Sequence, residues 1–357
     1  MILKIKKKIQ EVFNKKNTRP LIVAEVSANH NKKISNVIKI INNANKIGID
    51  AIKVQLYKPE EITINSNKVD FRLKKNNSWS RYKTLYDLYK KGSMPYEWYP
   101  KLAKLCLKKN IIFFSSVFDL KTVDFLEKNN CPIYKIASPE ITDIPLIEKV
   151  AKTQKPVFIS TGLASKKDIK LAIKTLKKNN CKKIVLMKCT SAYPAPIDEI
   201  NIKTMQDFKR KFEVNVGFSD HTNGEIASVV AVALGARVIE KHIVIDKKIR
   251  TLDSFFSYDL SKFKKFTKKI REAESCIGSV DYNISMSSRK NFNGRRSLYV
   301  VKDIKKGQIF NLDNVKSIRP CFGAHPMHLN KVLGKRSKFN LKKGNRVKLN
   351  FFSEKKL

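Results

Sequence analysis

Two short segments hold residue types that can do chemistry together: Gly217-Phe218-Ser219-Asp220-His221-Thr222 and Val238-Ile239-Glu240-Lys241-His242. Each puts a histidine at or just beyond the end of a short apolar run with the character of a β-strand. The chain has five histidines in 357 residues, so two at matching strand ends is an unusual allocation. Neutral imidazoles from adjacent strand ends can hold a divalent metal and leave coordination positions open for water and substrate. A lone histidine is more simply a hydrogen-bonded core residue. Here the surrounding frame favours the pair.

Runs rich in Val, Ile and Phe recur at 21–27, 51–57, 111–117, 133–138, 156–161, 183–190, 214–220 and 238–244. Between them lie stretches of helical period, such as Ile34, Val37, Ile38 and Ile41, or Leu146, Ile147 and Val150. Strands alternating with helices imply parallel pairing, and eight such units predict a (β/α)8 TIM barrel. An open doubly wound sheet would want a Gly-rich turn after its first strand. That turn reads Ser27-Ala28-Asn29-His30-Asn31, which is no dinucleotide fingerprint.

In such barrels the chemistry sits at the carboxyl ends of the strands. Polar residues gather there: Glu25 and Asn29, Lys53 and Gln55, Ser115 and Ser116, Lys135 and Ser138, Ser160 and Thr161, Thr190 and Ser191, Ser219 and His221, Glu240 and His242. Buried parallel strands are apolar nearly throughout, because an unpaired ion inside costs several kcal/mol. Lys53, Lys135 and Lys241 therefore need anionic partners. Structural ion pairs with Glu25 or Glu240 would account for one or two. Several lysines and many hydroxyls converging on one mouth fit a small, multiply charged substrate better.

Composition narrows the partners. Lys plus Arg number 74 against 31 Asp plus Glu, a formal charge of +43. The lysines are spread over nearly every expected helix and loop, the pattern of a solvated surface rather than a nucleic-acid stripe. No helix-turn-helix, RNA-recognition or zinc-finger signature is present, so nucleic acid is not an expected partner. The charge should still draw anionic substrates in a salt-dependent way. The six cysteines form no Cys-x-x-Cys pair and read as free thiols, with Cys189 a small core filler. The N-terminal Met1-Ile2-Leu3-Lys4-Ile5-Lys6-Lys7-Lys8 is neither a signal peptide nor a membrane span, and the expectation is a cytoplasmic protein without a membrane partner.

After a last barrel helix near 260–276 the texture changes. A polar stretch, 285–294, reads as a linker, and 295–301, 315–318 and 344–352 look extended around the turn Lys305-Lys306-Gly307-Gln308. The expected organisation is a barrel domain over 1–283, a linker over 284–293 and a small β-rich domain over 294–357.

Several segments resemble the sialic-acid synthase family, whose members condense phosphoenolpyruvate with an N-acetylated amino sugar. They are Ala24-Glu25-Val26-Ser27-Ala28-Asn29-His30-Asn31, Ala51-Ile52-Lys53-Val54-Gln55, Tyr134-Lys135-Ile136-Ala137-Ser138, Ile159-Ser160-Thr161-Gly162, the two histidine segments and Arg319-Pro320. Asp70-Phe71-Arg72, Thr84-Leu85-Tyr86-Asp87-Leu88-Tyr89 and Cys189-Thr190-Ser191-Ala192-Tyr193-Pro194 are most similar to the pseudaminic acid branch. The terminal unit resembles an antifreeze-like (SAF) domain, which in this family covers the partner's active site in a domain-swapped homodimer.

What the resemblance implies is specific. Lys53, Ser116, Lys135, Ser138, Ser160, Ser191 and Ser219 would bind phosphoenolpyruvate. His221 and His242 would hold a divalent metal, Mn²⁺ first, with Mg²⁺ or Co²⁺ as alternatives. Glu25 would orient the sugar or manage a proton. Gln55, Tyr193 and Asp253 match sugar-side positions, and Arg319 matches the arginine supplied by the neighbouring subunit. The sugar expected is 2,4-diacetamido-2,4,6-trideoxy-L-altrose. N-acetylneuraminate or legionaminate synthesis is the nearest alternative, and a non-catalytic sugar-phosphate binder is the alternative of another class. Three positions depart from the family pattern: Arg250-Thr251-Leu252 in place of Gly-Gly-Pro, Val117 in place of proline, and Cys321 in place of glycine. Where glycine is replaced, backbone needing positive φ would be lost.

Overall fold

The β-branched runs become strands and the amphipathic runs between them become helices. A computed structural model describes residues 1–14, 19–75 and 77–352. They fall into two compact units divided between Gly278 and Ser279. In the first, β1 (Leu21–Glu25), β2 (Ala51–Gln55), β3 (Ile112–Val117), β4 (Tyr134–Ile136), β5 (Val157–Ser160), β6 (Ile184–Cys189), β7 (Asn215–Asp220) and β8 (Val238–His242) pair in sequence order. All these pairings are parallel, and β8 returns to β1 to close the barrel. Almost every strand residue is buried, as expected where a parallel sheet is covered on both faces.

An N-terminal helix, α1 (Ile2–Phe13), buries Ile5, Ile9 and Val12 and precedes β1. Around the barrel follow α2 (Ile34–Asn43), α3 (Leu85–Gly92), α4 (Trp98–Lys108), α5 (Leu120–Lys128), α6 (Ile144–Lys152), α7 (Lys166–Lys178), α8 (Thr204–Phe212), α9 (Ile226–Ala233) and α10 (Leu260–Ile277). Local chemistry sets their ends. Asp119, Asp143 and Asp259 accept the backbone N–H of Thr122, Leu146 and Lys262, and Ser165 with Asp168 forms a capping box. Asn110, Asn130 and Asn180, just past α4, α5 and α7, have φ of 55°, 55° and 59°. Asparagine tolerates this left-handed geometry and does here the work that glycine commonly does.

One excursion breaks the short-loop pattern. From Tyr57 to Gly92 the chain rises over the barrel mouth before α4 begins. Arg72 bridges Thr84, the Leu73 N–H donates to the Lys83 carbonyl at 3.2 Å, and Thr84 caps α3 by accepting from Asp87.

The second unit has its own core of Leu298, Val300, Ile304, Phe310, Val315, Val332, Leu341 and Val347. Its antiparallel pair is β9 (Ser297–Val300) and β10 (Val315–Ile318). The stretch expected to be extended over 344–352 makes only isolated bridges, Tyr299 to Arg346 and Ser337 to Phe352, and a 3-10 turn at Leu349–Phe351. Gly344, at φ 93°, turns the chain at its start. The polar stretch at 285–294 contains a short helix, Met286–Arg289, capped by Ser285. The end of the expected terminal domain, 353–357, lies outside the described residues. No helix among them is long and apolar enough to cross a membrane.

Candidate active site

Strand register decides which polar side chains meet. Glu25 of β1 sits opposite Lys53 of β2 and His242 of β8, Ser116 of β3 opposite Lys135 of β4, and Ser219 of β7 opposite Glu240 of β8. The result is a buried ionic chain. Lys53 Nζ lies 2.6 Å from Glu25 Oε2 and 3.7 Å from Glu240 Oε1. Lys135 Nζ donates to both Glu240 oxygens at 3.0 Å. Lys53 also donates to Ser116 Oγ at 3.0 Å, and Ser219 donates to Glu240 Oε1 at 3.0 Å.

Two chemically identical carboxyls are driven apart here. Burial pushes Glu25 up to about 7, and Lys53 only partly offsets it. Burial also opposes ionisation of Glu240, but Lys135 and Lys53 together overcome it and hold that group at about 2. The contact of Lys53 with Glu25 is short yet off hydrogen-bond geometry, and Glu25 Oε1 has no partner. Glu25 is therefore poised to exchange a proton near neutrality, whereas Glu240 is a fixed anion.

A hydroxyl cradle stands beside this chain. Ser160 Oγ and Ser191 Oγ are enclosed and have no hydrogen-bond partner. Ser138 Oγ accepts the Gly162 N–H at 3.0 Å. A Cβ on Gly162 would come within 2.2 Å of Ser191 Oγ and 3.0 Å of Ser138 Oγ, so that space is open only because the residue is glycine. Enclosed, unpartnered hydroxyls next to buried lysines are suited to phosphate and carboxylate oxygens.

The two histidines face each other with ring centroids 5.3 Å apart. His221 Nδ1 donates to the Thr190 carbonyl at 2.9 Å, so in the neutral ring Nε2 is the acceptor. Burial and the surrounding cations keep His242 far below its ordinary value, hence neutral, and its Nδ1 is enclosed without a partner. Tyr193 packs on His221 at 4.5 Å and Phe256 on His242 at 4.7 Å. Among the described residues no third His, Cys, Asp or Glu joins them as a metal-binding group.

These groups share one cavity of about 500 Å³ at the carboxyl ends of the strands. Lys53, Gln55, Lys135, Ser138, Ser160, Tyr193, Ser219, His221, His242 and Asp253 line it directly. Glu25 and Ser116 stand behind Lys53, and Ser191 abuts the cradle. Arg319 belongs to the second unit, exposed at the end of β10.

Lys241 points elsewhere. It pairs with Asp220 at 3.0 Å, donates to the Thr222 carbonyl at 2.7 Å and packs over the Tyr258 ring. This follows from strand alternation, which puts Glu240 and His242 on the cavity face and Lys241 on the opposite one. Neither Arg250, Thr251 nor Cys321 has a positive φ, so these backbones do not demand glycine. Thr251 Oγ1 instead donates to Asn29 Oδ1, tying the loop to the barrel rim.

Four cavity residues stand outside the substrate and metal set expected from the sequence, where Glu240 figured only as an ion-pair partner. Glu240 had a legible signal, since it lies two residues before His242 on a strand. Glu140, pushed up to about 7 by burial, lines the cavity with an enclosed, unpartnered Oε2. Cys189, expected as core filler, opens on the cavity with its sulfur 3.8 Å from His221 Nδ1. Trp79 comes from the excursion and donates to the Leu252 carbonyl at 3.0 Å. Glu140 and Trp79 carry no spacing signal, because loop paths place them, whereas Cys189 is the last residue of β6.

Comparison with known proteins shows the family. Residues 40–282 match the NeuB family and residues 295–350 match the SAF domain. The chain belongs to the NeuB family, with an eight-stranded TIM-like barrel and a terminal SAF domain. It is 42% identical over 327 residues to the pseudaminic acid synthase of Campylobacter jejuni, covering 92% of this chain and 95% of that one. To the pseudaminic acid synthase of Helicobacter pylori it is 40% identical over 324 residues, covering 90% and 94%. The crystal structure of N-acetylneuraminic acid (sialic acid) synthetase from Leptospira borgpetersenii, in complex with citrate, aligns with a TM-score of 0.67 at 28% identity, covering 77% and 91%.

Proposed function

We propose that the protein is a pseudaminic acid synthase, joining phosphoenolpyruvate to 2,4-diacetamido-2,4,6-trideoxy-L-altrose with consumption of water and release of phosphate. The observation that carries this reading is a single cavity in which two buried lysines, two free hydroxyls and a histidine pair converge. Its similarity to enzymes of that name supports the choice of sugar.

Phosphoenolpyruvate brings a phosphate and a carboxylate. Lys53, Lys135 and the Ser138–Ser160–Ser191 cradle receive them, with Ser116 holding Lys53 and Ser219 holding Glu240 in place. With Glu25 neutral, two ammonium groups face one fixed anion, Glu240, which leaves net positive charge for the incoming ligand. The new bond joins C3 of the enol to the aldehyde carbon of the open-chain sugar. Water then adds at C2 and phosphate departs. Neutral Glu25 is placed to give its proton to the aldehyde oxygen as that bond forms and, once ionised, to take one from that water, since its proton is labile near neutral pH. Gln55, Tyr193 and Asp253 face the sugar.

His221 and His242 suit a divalent ion: two facing imidazoles, one oriented by its bond to a carbonyl and one with an enclosed free nitrogen. The ion, Mn²⁺ before Mg²⁺ or Co²⁺, supplies Lewis-acid polarisation of the aldehyde oxygen when bound. A cytoplasmic homodimer in which Arg319 of one chain reaches the acetamido group bound by its partner completes the proposal.

The test is phosphate release from phosphoenolpyruvate with this sugar, N-acetylmannosamine and the legionaminate precursor, each with and without EDTA. The proposal requires metal-dependent release that is fastest with the L-altro sugar. Faster release with another sugar would reassign the product, and no release with any would point to a binding protein.

A further inference from the structure

The cavity is chemically divided. Its charged groups come from the strand ends, whereas the 57–92 excursion contributes an apolar wall of Ile62, Leu73, Trp79, Leu85, Leu88 and Tyr89. None of these six belongs to the barrel core or packs on it as a partly buried neighbour. Leu73, Leu85 and Leu88 are only half-buried, with apolar surface opening on the cavity. Leaving such surface wet is unfavourable, so these positions gain most when an apolar group covers them. The wall is also fixed. Leu73 is anchored through its own N–H to Lys83, and Leu85 and Leu88 ride on α3, whose first turn Thr84 caps. Trp79 is held by its bond to the Leu252 carbonyl and by edge contacts with Tyr193 and Phe255 at 5.5 and 5.9 Å. The polar side chains this segment adds to the lining are those of Tyr57, Asn77 and Tyr89, and the Asn77 carbonyl oxygen is occupied by the Trp79 N–H.

A substrate filling this cavity must be ionic at one end and apolar at the other. A fully hydroxylated hexosamine would set hydroxyls against leucine, each losing its water without a new partner. Building on the proposed condensation, we infer that the wall formed by Leu73, Leu85 and Leu88 is the specificity determinant for the sugar. It selects a deoxy sugar, whose terminal methyl lies against these leucines, over the same sugar carrying a terminal hydroxyl. An apolar wall rejects an added hydroxyl by roughly 10- to 100-fold.

The experiment measures kcat/KM for 2,4-diacetamido-2,4,6-trideoxy-L-altrose and for its 6-hydroxy analogue at saturating phosphoenolpyruvate. The enzymes are the full-length wild type and the Leu73→Asn, Leu88→Gln and Leu73→Met variants. The wild type should favour the deoxy sugar by about 10-fold or more, the two polar variants should narrow that ratio severalfold, and Leu73→Met should keep it. The change should lie in KM for the sugar, with KM for phosphoenolpyruvate unmoved. The ratio is taken within each variant, so a smaller folded fraction cancels. A wild type without preference, or polar variants that keep the full ratio, overturns the wall while the condensation stands. Failure of the wild type to use either sugar overturns both.

Discussion

Replacing Gly162 by alanine isolates the phosphate cradle with a single methyl group. The added Cβ would lie 2.2 Å from Ser191 Oγ, 3.0 Å from Ser138 Oγ and 3.1 Å from the Ser191 backbone nitrogen. A carbon–oxygen contact needs more than 3 Å, so Ser191 Oγ has to swing by about 1 Å and lose its aim into the cavity. Gly162 is not in the left-handed region, and the backbone itself accepts alanine. The expected loss is one charge-assisted hydrogen bond to the phosphate, about 1.5–3 kcal/mol. That corresponds to a rise of roughly 10- to 150-fold in KM for phosphoenolpyruvate. The assay is phosphate release against phosphoenolpyruvate concentration at saturating sugar, beside a thermal melt that should move by only a few degrees. Ser191→Ala removes the same hydroxyl without adding volume and should reproduce most of the effect. The double variant should then fall well short of the sum, as expected for residues acting on one interaction. An unchanged KM in Gly162→Ala, with the protein folded, would refute the assignment of this space to phosphate.

Three further outcomes are expected. Because burial holds Glu25 at about 7 against an ordinary 4.5, wild type should lose roughly 3 kcal/mol relative to Glu25→Gln as pH rises between those values, and no more above. Denaturant melts of both proteins at pH 4.5 and 8 measure it. Lys135→Met should destabilise the fold by about 3–5 kcal/mol through the Glu240 charge it strands, and Lys135→Met with Glu240→Gln should recover much of that while staying inactive, read from melts and phosphate release. Mixing Arg319→Ala with Glu25→Ala chains under exchange conditions should restore phosphate release in one of the two sites of each heterodimer. An exchanged but inactive heterodimer would show that Arg319 does not act across subunits.

Much of this protein is written in local periodicity. Eight β-branched runs separated by amphipathic stretches predict the barrel because a parallel strand covered on both faces must be apolar and each crossover needs a helix. The C-terminal ends of those runs then name His221, His242, Lys53, Lys135 and the serines as site residues, and the structure gathers them at one mouth. Local chemistry also wrote the helix ends, with Asp and Ser caps and asparagine at the left-handed exits. Pairing and phase were another matter. Lys53, Lys135 and Lys241 look alike in sequence, each a lone cation in an apolar run. Only the register around a closed barrel sends two of them to Glu25 and Glu240 and the third outward to Asp220. The proton held on Glu25 and refused by Glu240 likewise depends on how many ammonium groups reach each carboxylate, a property of contacts between strands far apart in the chain. Glu140 and the apolar wall of the 57–92 excursion reach the cavity because loops fold over the barrel. No repeat along the chain encodes that path, since it is fixed by packing between segments that meet only in three dimensions.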